Sequence, residues 1–310
     1  MNCRDSVLAL GMKRIEFDAF GGPEVLHLVS FDSGAPGEGE VLIANRALGV
    51  NPFDWKFVSG RTSGGKEVSF PLVPGNEGSG VISAVGAGVT DFAVGDEVIW
   101  RQFMGGYATD RVLPATHVYP KPASVSFEVG AGIPVAGGTS YAAISQADVG
   151  SGDTVLVHAA AGGLGSAGVQ IARSLGARVI GTGSADSADY IRSLGAEPVL
   201  YGDGLIERVR ALGTITAAVD FVGTPESVAA TVELLPDLTR AITSARSDQS
   251  EKAGIAAVKS QPGSIEAAIA LAGSGKLTLD VSHTFPLERA GDAQALSRTG
   301  HVRGKIVLLP

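Results

Sequence analysis

The sequence predicts an α/β protein of two domains, one small and mostly β, the other built on a doubly wound parallel sheet. The chain has 310 residues, which is long for a single hydrophobic core. Before about residue 130, short Val-rich runs are separated by Gly, Asp and Pro, as in strongly bent β domains. After that point, strand-like runs alternate with runs of helical period, which predicts a parallel sheet covered by helices on both faces.

Composition and charge exclude several classes of protein. The formal net charge of −8 argues against a general nucleic-acid binder or a protein of anionic membrane surfaces, because phosphate binding needs a basic surface. Cys3 is the only cysteine, so no internal disulfide can form, and we expect a cytoplasmic protein. No apolar run reaches the roughly 18–20 residues of a membrane span. Residues 1–11 differ in residue pattern from the rest of the chain, and we expect them to be a disordered extension.

The first domain is predicted from short runs bounded by turn residues. The strand-bearing segments lie at 40–50, 78–99 and 107–114. The C-terminal stretch "PLERAGDAQALSRTGHVRGKIVLLP" predicts a helix and a strand, and its residue pattern resembles that of the first half of the chain. We therefore assign 12–130 and 278–310 to the first domain, and 131–277 to the second.

The second domain begins its alternation with a strand at Thr154–Ala159 and a helix at Ser166–Leu175. Ala167, Ile171 and Leu175 fall on one stripe of that helix, and Gly176 ends it. The further elements, in order, are a strand at 177–183, a helix at 187–196, strands at 198–201 and 217–223, and a helix at 264–275.

The turn between the first strand and helix of this domain carries a glycine motif, Ala160-x-Gly162-x-x-Gly165. It is a variant of G-x-G-x-x-G, and it lies directly after a strand and opens a helix, the context that dinucleotide binding requires. A phosphate needs free N–H donors and the positive end of a helix dipole. Gly162 and Gly163, which precede Leu164, have no side chain that would keep a phosphate from the backbone. Gly165 lets the helix approach the strand. The alternative is a glycine-rich crossover without a ligand.

The end of the following strand indicates which dinucleotide would bind. An NAD site usually places Asp or Glu there to bind the ribose 2′-hydroxyl. Here Gly183 ends the strand and Ser184 can donate to a 2′-phosphate, which favours NADPH, although Asp186 follows closely. Tyr201 closes the next strand and is a candidate for the adenine side. The alternative is that Ser184 and Tyr201 have only a structural role, in a turn or in the core.

Several ordered motifs together resemble the medium-chain dehydrogenase/reductase superfamily, most closely its zinc-independent branch of quinone oxidoreductases and enone reductases. The resemblance spans Met12 to Pro310 and implies a Rossmann-type cofactor domain with a GroES-like substrate domain. The motifs are "GVNPFDWK" (49–56), "PGNEGSGVISAVGAGV" (74–89), "GDEVI" (95–99), "HAAAGGLGSAG" (158–168), "RSLGAE" (192–197) and "GKIVL" (304–308).

The same resemblance predicts that no zinc is bound. In zinc-dependent members, a cysteine ligand stands where this chain has Asn51, and a histidine where it has Asn76. Catalytic zinc needs thiolate, imidazole or carboxylate ligands in a tight set. The five histidines are scattered without H-x-x-x-H or H-x-H spacing. We expect Glu77 to be a structural hydrogen-bonding residue rather than a ligand.

Candidate catalytic residues come from the resemblance and from residue chemistry. In similar proteins the asparagine at Asn51 lies beside nicotinamide and substrate, with a turn cap as the alternative role. Enone reductases often have a lysine at the position of Lys56, where a cation would stabilise an enolate; a solvated pair with Asp54 is the alternative. Tyr107 is a further candidate proton donor. Trp100, Phe103, Met104 and Tyr107 are candidates for an apolar pocket, with a core role open for the first two.

Further cofactor contacts are implied by the resemblance. The family places a threonine at Thr139 beside the nicotinamide, although the residue alone indicates only an N-cap. The other candidates are Phe221 and Val222 in "DFVG", Thr243 and Ser244 at the end of "RAIT", and Arg303 and Lys305, which would reach the 2′-phosphate or simply decorate the last strand.

The resulting prediction is an NADPH-dependent reductase that transfers hydride to quinones or α,β-unsaturated carbonyl compounds without zinc. A stand-alone enoyl-thioester reductase is the second enzymatic interpretation. The interpretation outside the enzymes is an NADPH-binding sensor or structural protein with little turnover. Family analogy predicts a homodimer formed through edge strands of the cofactor sheet.

Overall fold

A computed structural model describes residues 11–62 and 68–310, so that most of the expected extension at 1–11 lies outside the described residues. The chain divides into two compact units. The first runs to Gly132 and includes Val281–Pro310, and the second is Ile133–Asp280. Among the residues that the structure describes, no helix is both long and apolar enough to cross a membrane.

Strands and helices are numbered along the chain. The strands are β1 Lys13–Glu16, β2 His27–Ser30, β3 Glu40–Val50, β4 Glu77–Val85, β5 Glu97–Arg101, β6 Asp110–Pro114, β7 Val118–Pro120, β8 Thr154–His158, β9 Arg178–Gly183, β10 Glu197–Leu200, β11 Ala217–Asp220, β12 Ala241–Thr243, β13 Ala256–Ala257, β14 Val281–Pro286 and β15 Lys305–Leu309. The α-helices are α1 Pro52–Val58, α2 Phe127–Gly130, α3 Gly138–Gln146, α4 Gly163–Ser174, α5 Ala188–Ser193, α6 Leu205–Arg210, α7 Pro225–Leu234, α8 Asp248–Lys252, α9 Ser264–Gly273 and α10 Ala290–Arg298.

The main sheet of the first unit has the described strand order β14-β15-β3-β4-β5-β7, with β6 also paired to β3. Strand β15 runs antiparallel to β3, so the C-terminal segment pairs with a strand of this sheet. Trp100 is fully buried in the core and donates from Nε1 to Oδ1 of Asn45 at 2.8 Å. The indole therefore has a core role and does not line an open pocket, whereas Phe103 is 62% exposed.

The second unit contains a parallel sheet whose described strands follow the order β10-β9-β8-β11-β12-β13. Numbered along the chain from β8, the strands lie in the order 3-2-1-4-5-6, which is that of doubly wound dinucleotide-binding folds. The order in which successive strands are added reverses between β8 and β11. Leu156, Ile180 and Ala218 bring the three central strands into one core cluster. The fold class predicted from the sequence is confirmed, and the reversal places the ends of β8 and β11 where such folds bind ligands.

Candidate active site

The turn after β8 leads through alanine and glycine residues to the first backbone amides of α4. Ala159 adopts a left-handed conformation with φ of 55°, which turns the chain sharply out of the sheet. Gly162 is the N-cap, and in the described structure no side chain caps the helix. The first N–H groups of a helix have no partner within it, so those of Gly163, Leu164 and Gly165 are available to an anion.

Gly165 and Gly162 are explained by different physical effects. A Cβ on Gly165 would lie 2.0 Å from the carbonyl oxygen of Ala159, so only glycine lets the helix pack this close to the turn. A Cβ on Gly162 would meet only that same oxygen, at 3.4 Å, an ordinary contact. Packing within the protein therefore explains Gly165 but not Gly162. Space for a ligand against the backbone is a physical reason for glycine at that position.

The end of β9 lies beside the end of β10 through a backbone contact. The amide of Tyr201 donates to the carbonyl oxygen of Gly183 at 3.2 Å. A Cβ on Gly183 would meet Oγ of Ser187 at 2.4 Å, so this glycine serves local packing. Ser184 is half-buried and its hydroxyl lies 3.3 Å from that of Ser187, while Tyr201 is 53% exposed. The structure thus brings Gly183, Ser184 and Tyr201 together, with two side chains available to a ligand.

Asp220, at the end of β11, organises the neighbouring turn and was not singled out from the sequence. Its Oδ1 accepts from the amides of Val222 and Gly223 at 2.8 and 2.9 Å, and its Oδ2 accepts from Oγ of Ser227 at 2.7 Å. An aspartate followed closely by Gly and Thr is a turn signal that could have identified it. The buried carboxylate holds the 221–223 loop in one conformation.

Phe221 and Val222 lie in this loop with different environments. A Cβ on Gly168 of α4 would come within 2.8 Å of the Phe221 ring, so that ring packs against the helix. Val222 is 44% exposed and is the more accessible of the pair. The loop therefore presents its backbone and one apolar side chain.

Two threonine expectations need correction. Thr243 is buried, donates from Oγ1 to the carbonyl oxygen of Asp220 and accepts from the amide of Ala245. Its hydroxyl ties strands together, which leaves Ser244 as the residue of that pair with a half-buried side chain. Thr139 is not an N-cap, because a π-helical turn at Ile133–Gly137 runs directly into α3 and Gly137 precedes it in helical conformation.

In the first unit, six buried polar residues form one hydrogen-bonded cluster, which we call the Asn51 cluster. Its members lie between β3 and α1, in the first turn of α1, at the start of β4, in the loop between β5 and β6, and on β15. Its members are Asn51, Asp54, Asn76, Glu77, Tyr107 and Lys305, each with a side chain that contacts another member.

Asp54 is the central acceptor of this cluster. Its Oδ2 accepts from the amide of Asn51 at 2.8 Å and from the hydroxyl of Tyr107 at 2.9 Å, and its Oδ1 accepts from Nδ2 of Asn76 at 2.8 Å. Burial raises the pKa of Asp54 to about 6, although the hydrogen bonds from Asn51 and Tyr107 oppose the shift. The solvated pair of Asp54 with Lys56 is therefore wrong, because the carboxylate is buried among other partners.

Tyr107 and Lys305 lie in positions that revise their predicted roles. Burial, together with the Asp54 carboxylate, raises the pKa of Tyr107 well above its ordinary value, and the hydroxyl already donates to Asp54. It is therefore placed as a structural donor and not as a proton source. Lys305 is 4% exposed and donates to Asn51, Glu77 and the carbonyl of Val50, so it neither decorates the strand nor reaches a 2′-phosphate.

The remaining candidate cations are more accessible. Lys56 is half-buried, with Nζ 5.6 Å from the centroid of the Trp55 ring, a cation–π contact between neighbouring residues of α1. Arg303 is exposed, and its carbonyl oxygen accepts from Oγ of Ser282. The described residues contain no group of three or more His, Cys, Asp or Glu side chains able to hold a metal ion.

Comparison with known proteins identifies the family. Residues 37–123 match the model of the alcohol dehydrogenase GroES-like domain, and residues 194–308 match that of the zinc-binding dehydrogenase. The quinone oxidoreductase of Pseudomonas syringae pv. Tomato DC3000 is 31% identical, with a TM-score of 0.84 over 96% of this chain and 100% of that one. The chain belongs to the quinone oxidoreductase branch of the medium-chain dehydrogenase/reductase superfamily. The family resemblance predicted from the motifs is confirmed.

Two further members of the branch are informative. A quinone oxidoreductase of Escherichia coli, solved in complex with NADPH, has a TM-score of 0.85 at 28% identity, covering 96% of this chain and all of that one. The quinone oxidoreductase of Pseudomonas aeruginosa is 38% identical over 187 residues, which are 59% of this chain and 57% of that protein. The matched sequence thus spans little more than half the length of that curated relative.

Proposed function

We propose that this protein is an NADPH-dependent reductase that transfers hydride to quinones or α,β-unsaturated carbonyl compounds without zinc. The observation that carries the proposal is the turn before α4. There, sterics require Gly165, packing does not require Gly162, and uncapped amides open a helix of 12 residues. NADPH, when bound, supplies the hydride. The relatives named quinone oxidoreductases support the acceptor class.

The residues of the second unit fit the cofactor. The amides of Gly163, Leu164 and Gly165 would bind the pyrophosphate, with the helix dipole favouring its charge. Ser184 would donate to the 2′-phosphate, since no carboxylate ends β9. We propose residues 131–277 as the cofactor domain, with Tyr201, Val222 and Ser244 as the accessible side chains around it.

The first unit supplies hydrogen-bond donors for a substrate oxygen. Hydride addition to a conjugated carbonyl develops negative charge on oxygen, and fixed donors that face this charge lower the barrier. Asn51 is the proposed donor, with the half-buried ammonium of Lys56 as a second. Asn51 and Asn76 carry amides where zinc-dependent members have Cys and His, which are the side chains that zinc prefers. This substitution supports chemistry without the metal.

The proposal is tested by titrating the protein with NADPH and NADH by fluorescence, and then measuring NADPH oxidation with a quinone, an enone and an acyl thioester. We expect tighter binding of NADPH, turnover with the first two acceptors, and no loss of activity after dialysis against a chelator. Activity with thioesters alone would select the enoyl reductase. Binding without turnover would select the sensor or structural protein. Sedimentation of the same sample tests the proposed homodimer.

A further inference from the structure

The side-chain amide of Asn51 lies between a buried cation and a buried anion. Its Oδ1 accepts from Nζ of Lys305 at 2.7 Å, and its Nδ2 donates to Oε1 of Glu77 at 2.8 Å. Lys305 and Glu77 also contact each other at 2.9 Å. All three residues are at most 4% exposed. The amide is therefore held at both ends in a region where electrostatic interactions are strong.

Strand order explains why these three residues meet. Strand β3 lies between β15 and β4, and Asn51 directly follows β3. Ile306 pairs with Val50, which places Lys305 beside Asn51, and Leu48 pairs with Gly78, which places Glu77 beside Gly49. A Cβ on Gly49 would come within 2.4 Å of Oε1 of Glu77, so glycine is needed for the carboxylate to reach this position.

The two charges decide which way the amide points. The flipped amide would direct N–H groups at an ammonium and its oxygen at a carboxylate, and both contacts would be repulsive. With the orientation fixed, Oδ1 and one of the two Nδ2 hydrogens are used inside the protein. The backbone N–H of Asn51 is also used, by Asp54. Among residues 11–62 and 68–310 the structure shows no second acceptor for Nδ2, so one side-chain N–H of Asn51 remains available as a donor.

We propose that Lys305 is a positioning residue for the reaction. It fixes the rotamer and the flip of Asn51, and its positive charge on Oδ1 polarises the amide, so that the remaining N–H is a stronger donor to the carbonyl oxygen of a quinone or enone. The proposal rests on the function proposed above. It assigns to an internal ammonium, acting through Asn51, part of the charge stabilisation that zinc gives by direct contact with oxygen.

The test compares two variants that differ only at residue 305. Removing Lys305 alone would take a buried positive charge away from the buried Glu77 carboxylate, which is strongly destabilising. Glu77→Gln keeps an oxygen that can accept from both Lys305 and Asn51, and it serves as the reference. Glu77→Gln/Lys305→Met removes the ammonium in that background. If the Met variant does not fold, Glu77→Gln/Lys305→Gln takes its place.

The kinetic readout is kcat for NADPH-dependent quinone reduction. We expect it to fall about 30-fold or more from the reference to the double variant, because loss of one oxyanion donor typically lowers kcat about 10²–10³-fold. The Kd for NADPH should stay within about twofold, since Lys305 makes its contacts inside the first unit. If Lys305 had only a structural role, its loss would lower Tm and the fraction of active protein. The folded protein would then show no fall in kcat at an unchanged Kd for NADPH.

A second readout does not depend on activity. The chain contains four asparagines, so ¹⁵N-asparagine labelling gives a spectrum of four side-chain amides, and Asn51→Asp identifies the pair that belongs to residue 51. We expect hydrogen exchange of that pair to accelerate at least tenfold from the reference to the double variant. Equal exchange and equal kcat in the two proteins would overturn the proposal. If the unaltered protein binds NADPH but reduces no acceptor, the proposed function has failed, and the exchange comparison still decides whether Lys305 holds Asn51.

Discussion

Gly162 and Gly165 lie three residues apart in one turn, but a methyl group would meet different surroundings at each. In Gly165→Ala the new Cβ would lie 2.0 Å from the oxygen of Ala159 and 2.7 Å from its carbonyl carbon. Both are backbone atoms, and contacts below 3.0 Å essentially never occur, so the helix start must shift by about 1 Å. Inserting a methyl group into a packed site typically lowers the free energy of unfolding by about 1–3 kcal/mol.

Gly162→Ala should behave differently. Its φ of −74° and ψ of 173° suit any residue, and the only near contact is at 3.4 Å. Loss of a glycine N-cap should reduce the free energy of unfolding by less than about 1 kcal/mol. The methyl group would, however, occupy the space assigned to the pyrophosphate. We expect the Kd for NADPH to rise at least about tenfold, which corresponds to about 1.4 kcal/mol.

The assay combines thermal unfolding with fluorescence titration of NADPH at a temperature where all variants are folded. Gly150→Ala is the matched control, because it lies in the same unit and a Cβ there would have no atom of the described residues within 4 Å. It should leave both measurements as they are in the unaltered protein. A folded Gly162→Ala that binds NADPH within twofold of the unaltered protein would refute the assignment of this turn to the cofactor. An unchanged Tm for Gly165→Ala would refute the steric argument.

Three further predictions concern charge. Lys56→Ala should lower kcat about tenfold with unchanged Kd for NADPH, as expected for a donor to substrate oxygen, and an unchanged kcat would remove Lys56 from the reaction. Because burial raises the pKa of Asp54 from 3.8 unfolded to about 6, its contribution to stability is complete below pH 3.8 and is lost as pH rises through 6. Denaturant unfolding of Asp54→Asn should lack this component, about 2 kcal/mol between pH 4 and 7, and an identical pH profile in both proteins would contradict it. Hydrogen bonds from Arg240 hold the pKa of Asp153 well below its ordinary range, so the stabilisation from Asp153 is present at neutral pH and lost on acidification. Asp153→Asn should lower the free energy of unfolding at pH 7 by about 2 kcal/mol, and equal stability of the two proteins at pH 7 would contradict this.

Local sequence signals explain much of the second unit. The turn before α4 could be predicted because the steric need at Gly165 and the free amides arise from neighbouring residues. Helix boundaries were less predictable: α4 begins at Gly163, three residues before the expected start, since glycines are poor indicators of helix. The sequence predicts Leu175 on the same helical stripe as Ala167 and Ile171, but α4 ends at Ser174 and the side chain of Leu175 is 40% exposed.

The Asn51 cluster shows why the rest was not predictable. Lys305 meets Asn51 across 254 residues of sequence, and only the register of β15 on β3 brings them together. A lysine in "GKIVLLP" looks like an ordinary surface residue of a last strand, and nothing near it in the sequence indicates burial. Similarly, Tyr107 could be predicted as a polar residue near the site, but its commitment to Asp54 depends on strand pairing between distant segments.

The most direct test of the central claim is a crystal structure of the protein with NADP⁺. We predict pyrophosphate oxygens about 2.7–3.2 Å from the amide nitrogens of Gly163–Gly165, with the 2′-phosphate beside Ser184. A dinucleotide bound away from the start of α4, or a turn left empty at saturating NADP⁺, would contradict the account.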